Sequence, residues 1–295
     1  MSARVLRAGL FVASVALGAA PLAGQGRGGA APRPGDCPRD PAPFHACALE
    51  KAKTFNPPRT ADGVPDMQGY WRGQSGAVEN IEQHEGNGDV NAGPTLVVDP
   101  ADGKIPYQPW ALEQRKTNFA KYIDPNVPCL SSGVPRFFYT PGDLTIAQSK
   151  DLVAITHSRS HTFRIIPTTP QPRIASSIPL WLGASRGRWE GNTLVVDVTN
   201  QNGKTWFDQA ANFDSDAVHV LERFTLIDAN TIHYEARIED PVVFTRPWTM
   251  AFAIRRITDP RYEIWEEACH EGEQDTGHLL GTGLQLYPGV IRRPR

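Results

Sequence analysis

In the C-terminal half of the chain, apolar and polar positions alternate with a period of two, and Gly, Asn and Asp interrupt them at short intervals. Arg188-Trp189-Glu190-Gly191-Asn192-Thr193-Leu194 reads as a hairpin reversing at Glu190-Gly191-Asn192. Leu226-Ile227-Asp228-Ala229-Asn230-Thr231-Ile232 repeats the plan. Gly and Asn tolerate the positive φ that tight hairpin turns require. The pattern predicts strands near 184–189, 193–199, 217–226, 231–238, 247–256 and 261–268. Shorter runs predict strands within 65–71, 95–100, 143–149, 152–158 and 161–166, the last stopped by Pro167. Two segments read as helix, 46–54 and 109–123; Pro109 suits a first turn, and Trp110, Leu112, Arg115, Phe119 and Tyr122 follow at mixed helical steps. The stretches 75–94, 125–141 and 200–216 read as loops. The expected fold is mainly β: a single antiparallel β-barrel or strongly curved meander sheet, with one or two short helices and long Pro/Gly-rich loops. A mixed sheet with the 109–123 helix on one face also fits the strand count. No fixed repeat points to a propeller or solenoid.

Composition sharpens this picture. Twenty-six Gly and 26 Pro fit a turn-rich β protein rather than a helical bundle. Thirty Lys and Arg nearly balance 32 Asp and Glu without a basic block, which argues against a nucleic-acid partner. Arg4 and Arg7 precede the apolar run 8–20 and then small residues, the layout of a secretory signal peptide over 1–24, with cleavage near Ala23–Gln25. That run is short for a membrane span and no second one follows, so a periplasmic or secreted protein without an integral membrane segment is expected. Residues 25–65 read as an extended Pro/Gly-rich arm, and 66–295 as the barrel domain.

Cys37, Cys47, Cys129 and Cys269 are an even set in an exported chain, which favours disulfides over a metal site, since no C-x-x-C occurs. Three pairings are open; nearness in sequence favours Cys37 with Cys47, leaving Cys129 with Cys269.

The run Trp181-Leu182-Gly183-Ala184-Ser185-Arg186-Gly187-Arg188-Trp189-Glu190-Gly191-Asn192-Thr193-Leu194-Val195-Val196-Asp197 resembles a family of exported bacterial proteins to which no reaction is attached. The likeness continues through Lys204-Thr205-Trp206, His219-Val220-Leu221-Glu222-Arg223-Phe224 and Ala268-Cys269-His270-Glu271-Gly272. The hairpin succession also looks like a lipocalin-type barrel, an architectural likeness that does not imply a function.

Strand parity nominates the chemistry. Val218, Val220, Glu222 and Phe224 share the more apolar face of their strand, which puts Glu222 inside, although the opposite face with His219 and Arg223 stays open. Arg186, Arg188, Arg246 or His270 are candidate partners for that carboxylate. In the next strand His233, Glu235 and Arg237 are expected toward solvent. Tyr234, Trp248 and Phe252 are expected to line a cavity, with Trp206 closing it and Lys204 or Asp208 orienting a ligand. The leading expectation is therefore an exported barrel binding a small apolar or aromatic molecule. The alternative is a cofactor-free acid–base enzyme using His270 or His219 with Glu222, and Arg186 as anion anchor. A structural or adhesion module would need no cavity. No cofactor and no metal are expected: His157 and His161 have helical metal spacing but lie on predicted strands, and Ser158 and Ser160 lack a nucleophile elbow.

Overall fold

The hairpins form a nearly closed antiparallel barrel. The computed structural model describes residues 36–73, 75–86, 92–159 and 162–289; the expected leader and His161 lie outside them. In chain order the elements are α1 (Pro41–Thr54), β1 (Gly69–Arg72), β2 (Val97–Asp99), α2 (Pro109–Lys121), β3 (Tyr122–Ile123), β4 (Leu144–Gln148), β5 (Leu152–His157) and β6 (Phe163–Pro167). They continue with β7 (Ala184–Glu190), β8 (Thr193–Thr199), β9 (His219–Asp228), β10 (Thr231–Glu239), β11 (Trp248–Arg256), α3 (Asp275–Gly281) and β12 (Gln285–Leu286). Nine strands run antiparallel in the order β6-β5-β4-β1-β11-β10-β9-β8-β7, with β2 added beside β1 along β11. The two end strands share no ladder, yet they are close. A Cβ on Gly187 of β7 would stand 2.8 Å from Cγ2 of Ile166 on β6, so only glycine lets them approach.

Register assigns the faces. Glu222 lies between Val196 of β8 and Ala236 of β10, and Tyr234 between Phe224 and Phe252. Val220, Glu222, Phe224, Tyr234, Trp248, Met250 and Phe252 are all buried on the inner face. The space between them is filled by residues 133–141, expected as a plain connection. A 3₁₀ turn at Arg136–Phe138 carries Phe137, Phe138 and Tyr139 into the barrel. Phe138 packs 4.9 Å from Tyr234 and 5.2 Å from Phe224, centroid to centroid, and Tyr139 lies 5.7 Å from Phe252. Burying each ring contributes about 1.5–3 kcal/mol, so the plug replaces any ligand as the filling of the core. Arg136 enters with it and is neutralised by Asp124, its Nη1 2.8 Å from Oδ1.

Outside the barrel, α1 begins at Pro41, five residues earlier than expected, and lays Phe44 and Ala48 on the outer face beside Ile227 and Ala253. The expected strand at 261–268 is absent. Its neighbour would have been the free edge of β11, but β1 already occupies it, pairing Trp71 with Arg256 and Arg72 with Arg255. The chain runs on without a ladder to α3, which sequence reading did not anticipate, and β12 then pairs in parallel with β3. Disulfides join Cys37 to Cys47 and Cys129 to Cys269. No helix among the described residues is long and apolar enough to cross a membrane.

Candidate functional site

Inside the barrel, Glu222 is fully buried and its partner is Arg164, which none of the sequence candidates included. Arg164 alternates with Phe163 and Ile165 on β6, so it points inward with Ile166 and crosses the gap where the sheet fails to close. Its Nη1 donates to Glu222 Oε1 at 2.9 Å, its Nη2 donates to Oε2, and its Nε donates to Ser185 Oγ at 2.9 Å. The Tyr234 hydroxyl donates to Glu222 Oε1 at 2.9 Å. Burial first, and the adjacent Glu222 charge second, push the Tyr234 phenol well up, so it keeps its proton and acts as a donor. The bidentate pair ties β6 across the barrel to β9, and the Arg164–Ser185 bond links β6 to β7 where no ladder joins them. All of its members are buried, which suits a bracing role better than proton transfer to a solvent-borne substrate.

The acid–base constellation expected from sequence is not assembled. His270 is exposed in a turn after Cys269. His219 sits on the outer face, its Nε2 3.3 Å from Asp197. Arg186 also faces outward, where its guanidinium donates to the carbonyls of Ser185 and Pro172. Arg188 pairs with Glu190, and Arg246 with Asp99. Parity explains the strand residues among these: Arg186, Asp197 and Leu221 share a register line one residue away from the line of Glu222.

The residues expected to line or gate a cavity are packed instead. Tyr234, Trp248 and Phe252 are fully buried against other rings. Trp206 is covered by Tyr287, with centroids 5.3 Å apart, and so seals an end of the core rather than forming an open lid. Lys204 is exposed beside Gly289. Asp208 is buried as a loop clasp: it accepts from the backbone N–H of Ile81 at 2.9 Å and of Asn212 at 3.1 Å, and from Asn212 Nδ2 at 2.6 Å. Burial raises its carboxyl to about 6 despite those donors.

A concave site that sequence reading missed lies on the barrel rim. Thr156, His157 and Ser158 at the end of β5 face Ile264, Trp265 and Glu266 across a groove of about 290 Å³. Trp265 is 77% exposed. Its segment is nonetheless tied down on all sides. The Tyr262 hydroxyl donates to Asp143 while its ring packs 5.1 Å from Tyr70; Glu267 pairs with Arg159 at 3.3 Å; Cys269 is bridged to Cys129. Asp143 also accepts two bonds from Arg72, at 2.5 and 2.7 Å. Burial alone would raise this carboxyl, but the bonds from Arg72 and Tyr262 outweigh it and hold it low. Beside the groove, β6 presents Phe163 and Ile165 outward, 66% and 46% exposed.

His157, Ser158 and Asp143 are neighbours, but they are not a nucleophilic triad. His157 Nδ1 accepts the Arg159 N–H at 3.0 Å, and Nε2 then carries the proton that points to Thr140 O at 3.3 Å. No lone pair remains to take a proton from a serine. Ser158 Oγ accepts the Asp143 N–H at 3.0 Å. Burial lowers the His157 imidazole to about 4, so it is neutral at pH 7.

No protein-family model and no curated protein matches the chain. Among solved structures, the REP1-NXSQ fatty acid transporter is similar at 15% identity, covering 40% of this chain and 71% of its own, with a TM-score of 0.24. A point mutant of that transporter is similar at 14% identity over 39% of this chain and 72% of its own, also with a TM-score of 0.24. The likeness is a distant one, to part of a barrel.

Proposed function

We propose that the protein is an exported barrel that binds a small aromatic or apolar molecule in the rim groove, with Trp265 as the stacking surface. The observation that carries this reading is Trp265 itself: a large ring held 77% exposed on a segment fastened by a disulfide, an ion pair and a half-buried hydroxyl–carboxylate bond. An indole kept in water on a fixed backbone forgoes the burial that the core rings gain, and a ligand restores it. The groove volume of about 290 Å³ is at the small end for organic ligands, and its mixed lining supplies apolar contact from Ile264 and polar contact from Thr156 and Ser158. Because the interior is filled, the site is the groove and not the barrel lumen. Export agrees with two disulfides, which persist in oxidising compartments.

The test is a titration with a small aromatic probe such as naphthol, read by tryptophan fluorescence and calorimetry. Saturable binding that shields Trp265 from acrylamide, and that is lost in Trp265→Ala, supports the reading. Binding that survives Trp265→Ala, or none at all, refutes it.

A further inference from the structure

We propose that His45, His233 and Glu235 form a binding site for a divalent transition-metal ion, best matched by Zn²⁺, between α1 and the outer face of β10. Sequence reading expects His233 and Glu235 to face solvent. They do face outward, being two residues apart on one strand, but α1 covers His233 and leaves it 3% exposed. The helix brings His45 onto the same spot, because Phe44 and Ala48 anchor its neighbouring face. The Cys37–Cys47 bridge ties the helix to the chain before it.

The donor geometry is close to that of a metal shell. His45 Nδ1 lies 2.9 Å from His233 Nε2 and 3.9 Å from Glu235 Oε2, and all three donor atoms lie within 4.8 Å of one another. Bonds of about 2.0–2.1 Å in a tetrahedron separate ligand atoms by about 3.3 Å, so the cluster needs shifts of a few tenths of an ångström for the imidazoles. Two nitrogens and one carboxylate oxygen are donors that zinc accepts, and three protein ligands leave a fourth position for water. Side-chain exposures of 21% for His45 and 22% for Glu235 provide access for ion and water.

The cluster is poorly accounted for as plain packing. The two rings share one hydrogen bond, and Glu235 at 3.9 Å from His45 is beyond hydrogen-bond reach. Arg223, opposite Glu235 on β9, is directed instead to Glu190 at 3.1 Å. The small neighbours Ala251 and Ala253 on β11 let the helix approach and give the site a rigid floor.

The experiment is calorimetric titration of the chelator-stripped, untagged protein with ZnCl₂, beside His45→Ala and Glu235→Gln. One zinc per chain is expected, with affinity reduced at least about tenfold in each variant and metal-free melting temperatures near that of the parent. A parent that binds no zinc overturns the proposal. So does binding that is undiminished in both variants, which places the ion elsewhere, for example at exposed His270. Should His45→Ala fold poorly, Glu235→Gln carries the test alone, and unchanged affinity in it refutes the site. Tetrahedral visible absorption from bound Co²⁺ in the parent, lost in Glu235→Gln, is the independent spectroscopic signature.

Discussion

Arg164 and Glu222 make the sharpest test of the barrel's physics. The perturbation is a double-mutant cycle through Arg164→Met, Glu222→Leu and the double variant. Glu222 is fully buried and Arg164 nearly so, and two parallel charge-assisted bonds join them. Removing either partner leaves a charge in the core, which costs about 3–5 kcal/mol, so independent effects would sum to roughly 6–10 kcal/mol. The double variant leaves no charge. What it leaves are two hydroxyls that have lost a partner, Ser185 Oγ and Tyr234 Oη, at about 1–3 kcal/mol each. Taking the middle of each range, about 8 kcal/mol for the summed singles against about 4 kcal/mol for the double variant, the pair shows a coupling of about 4 kcal/mol, and the double variant is less impaired than additivity demands. Urea unfolding followed by far-UV circular dichroism measures each corner, with the slope checked for constancy. Additivity within about 0.5 kcal/mol refutes the reasoning, as does a single substitution costing under about 1 kcal/mol.

Three further outcomes follow from particular contacts. The Cys129–Cys269 bridge closes 140 residues and Cys37–Cys47 closes 10. Loop-closure entropy then gives ceilings of about 5 and about 3 kcal/mol, and paired Cys→Ser variants in urea check that order; equal losses refute the entropic account. His157 is held neutral to about 4, below its ordinary 6.5. As pH falls from about 6.5 to 4 the unfolded chain gains a proton that the folded one refuses, so stability is lost over that window, by about 3 kcal/mol. His157→Gln should shrink the drop in urea midpoint between pH 7 and pH 4.5, and an unchanged drop contradicts the assignment. Gly73→Ala would place a Cβ 1.6 Å from the carbonyl oxygen of Phe138, so the plug backbone must move; a loss of several kcal/mol in the same assay is expected, and a neutral effect denies the plug its fixed seat.

The barrel was legible because its strands are amphipathic and its turns carry Gly and Asn. The hairpin at Glu190-Gly191-Asn192 has Gly191 at φ +60°, the geometry that the sequence implies. Local pattern favoured the inward parity of Glu222 but left the opposite face open, and only the register of the neighbouring strands decides it. The pattern did not name Arg164, because β6 alternates two apolar residues outward, Phe163 and Ile165, against Arg164 and Ile166 inward, and a local reading of that strand gives the wrong face. The plug was illegible for a different reason. Phe137, Phe138 and Tyr139 sit in a proline-rich stretch without period, and only tertiary closure of the sheet creates a hole for them. His45 and His233 are 188 residues apart, and their meeting depends on where α1 docks. His270 was favoured for its place beside Cys269, yet the bridge that pins that backbone holds it at the surface, away from Glu222.

These misses share a cause that bears on function. A barrel read strand by strand suggests a lumen, and a lumen suggests a ligand inside. Here the lumen is spent: the plug supplies three aromatic rings, Arg136 and Arg164 enter with their own counter-ions, and each is held to its partner by two parallel bonds. To admit a ligand, the plug would have to leave with its ring contacts and strand Arg136 and Asp124, a cost comparable to the whole stability of a domain. Both sites proposed for this chain therefore lie on its outer surface, where Trp265 stands uncovered on a fastened segment and His45 meets His233 and Glu235 beneath a disulfide-stapled helix. Each of those places combines a disulfide-held element with side chains that packing alone leaves incompletely satisfied, and that combination separates a presented site from a merely exposed residue.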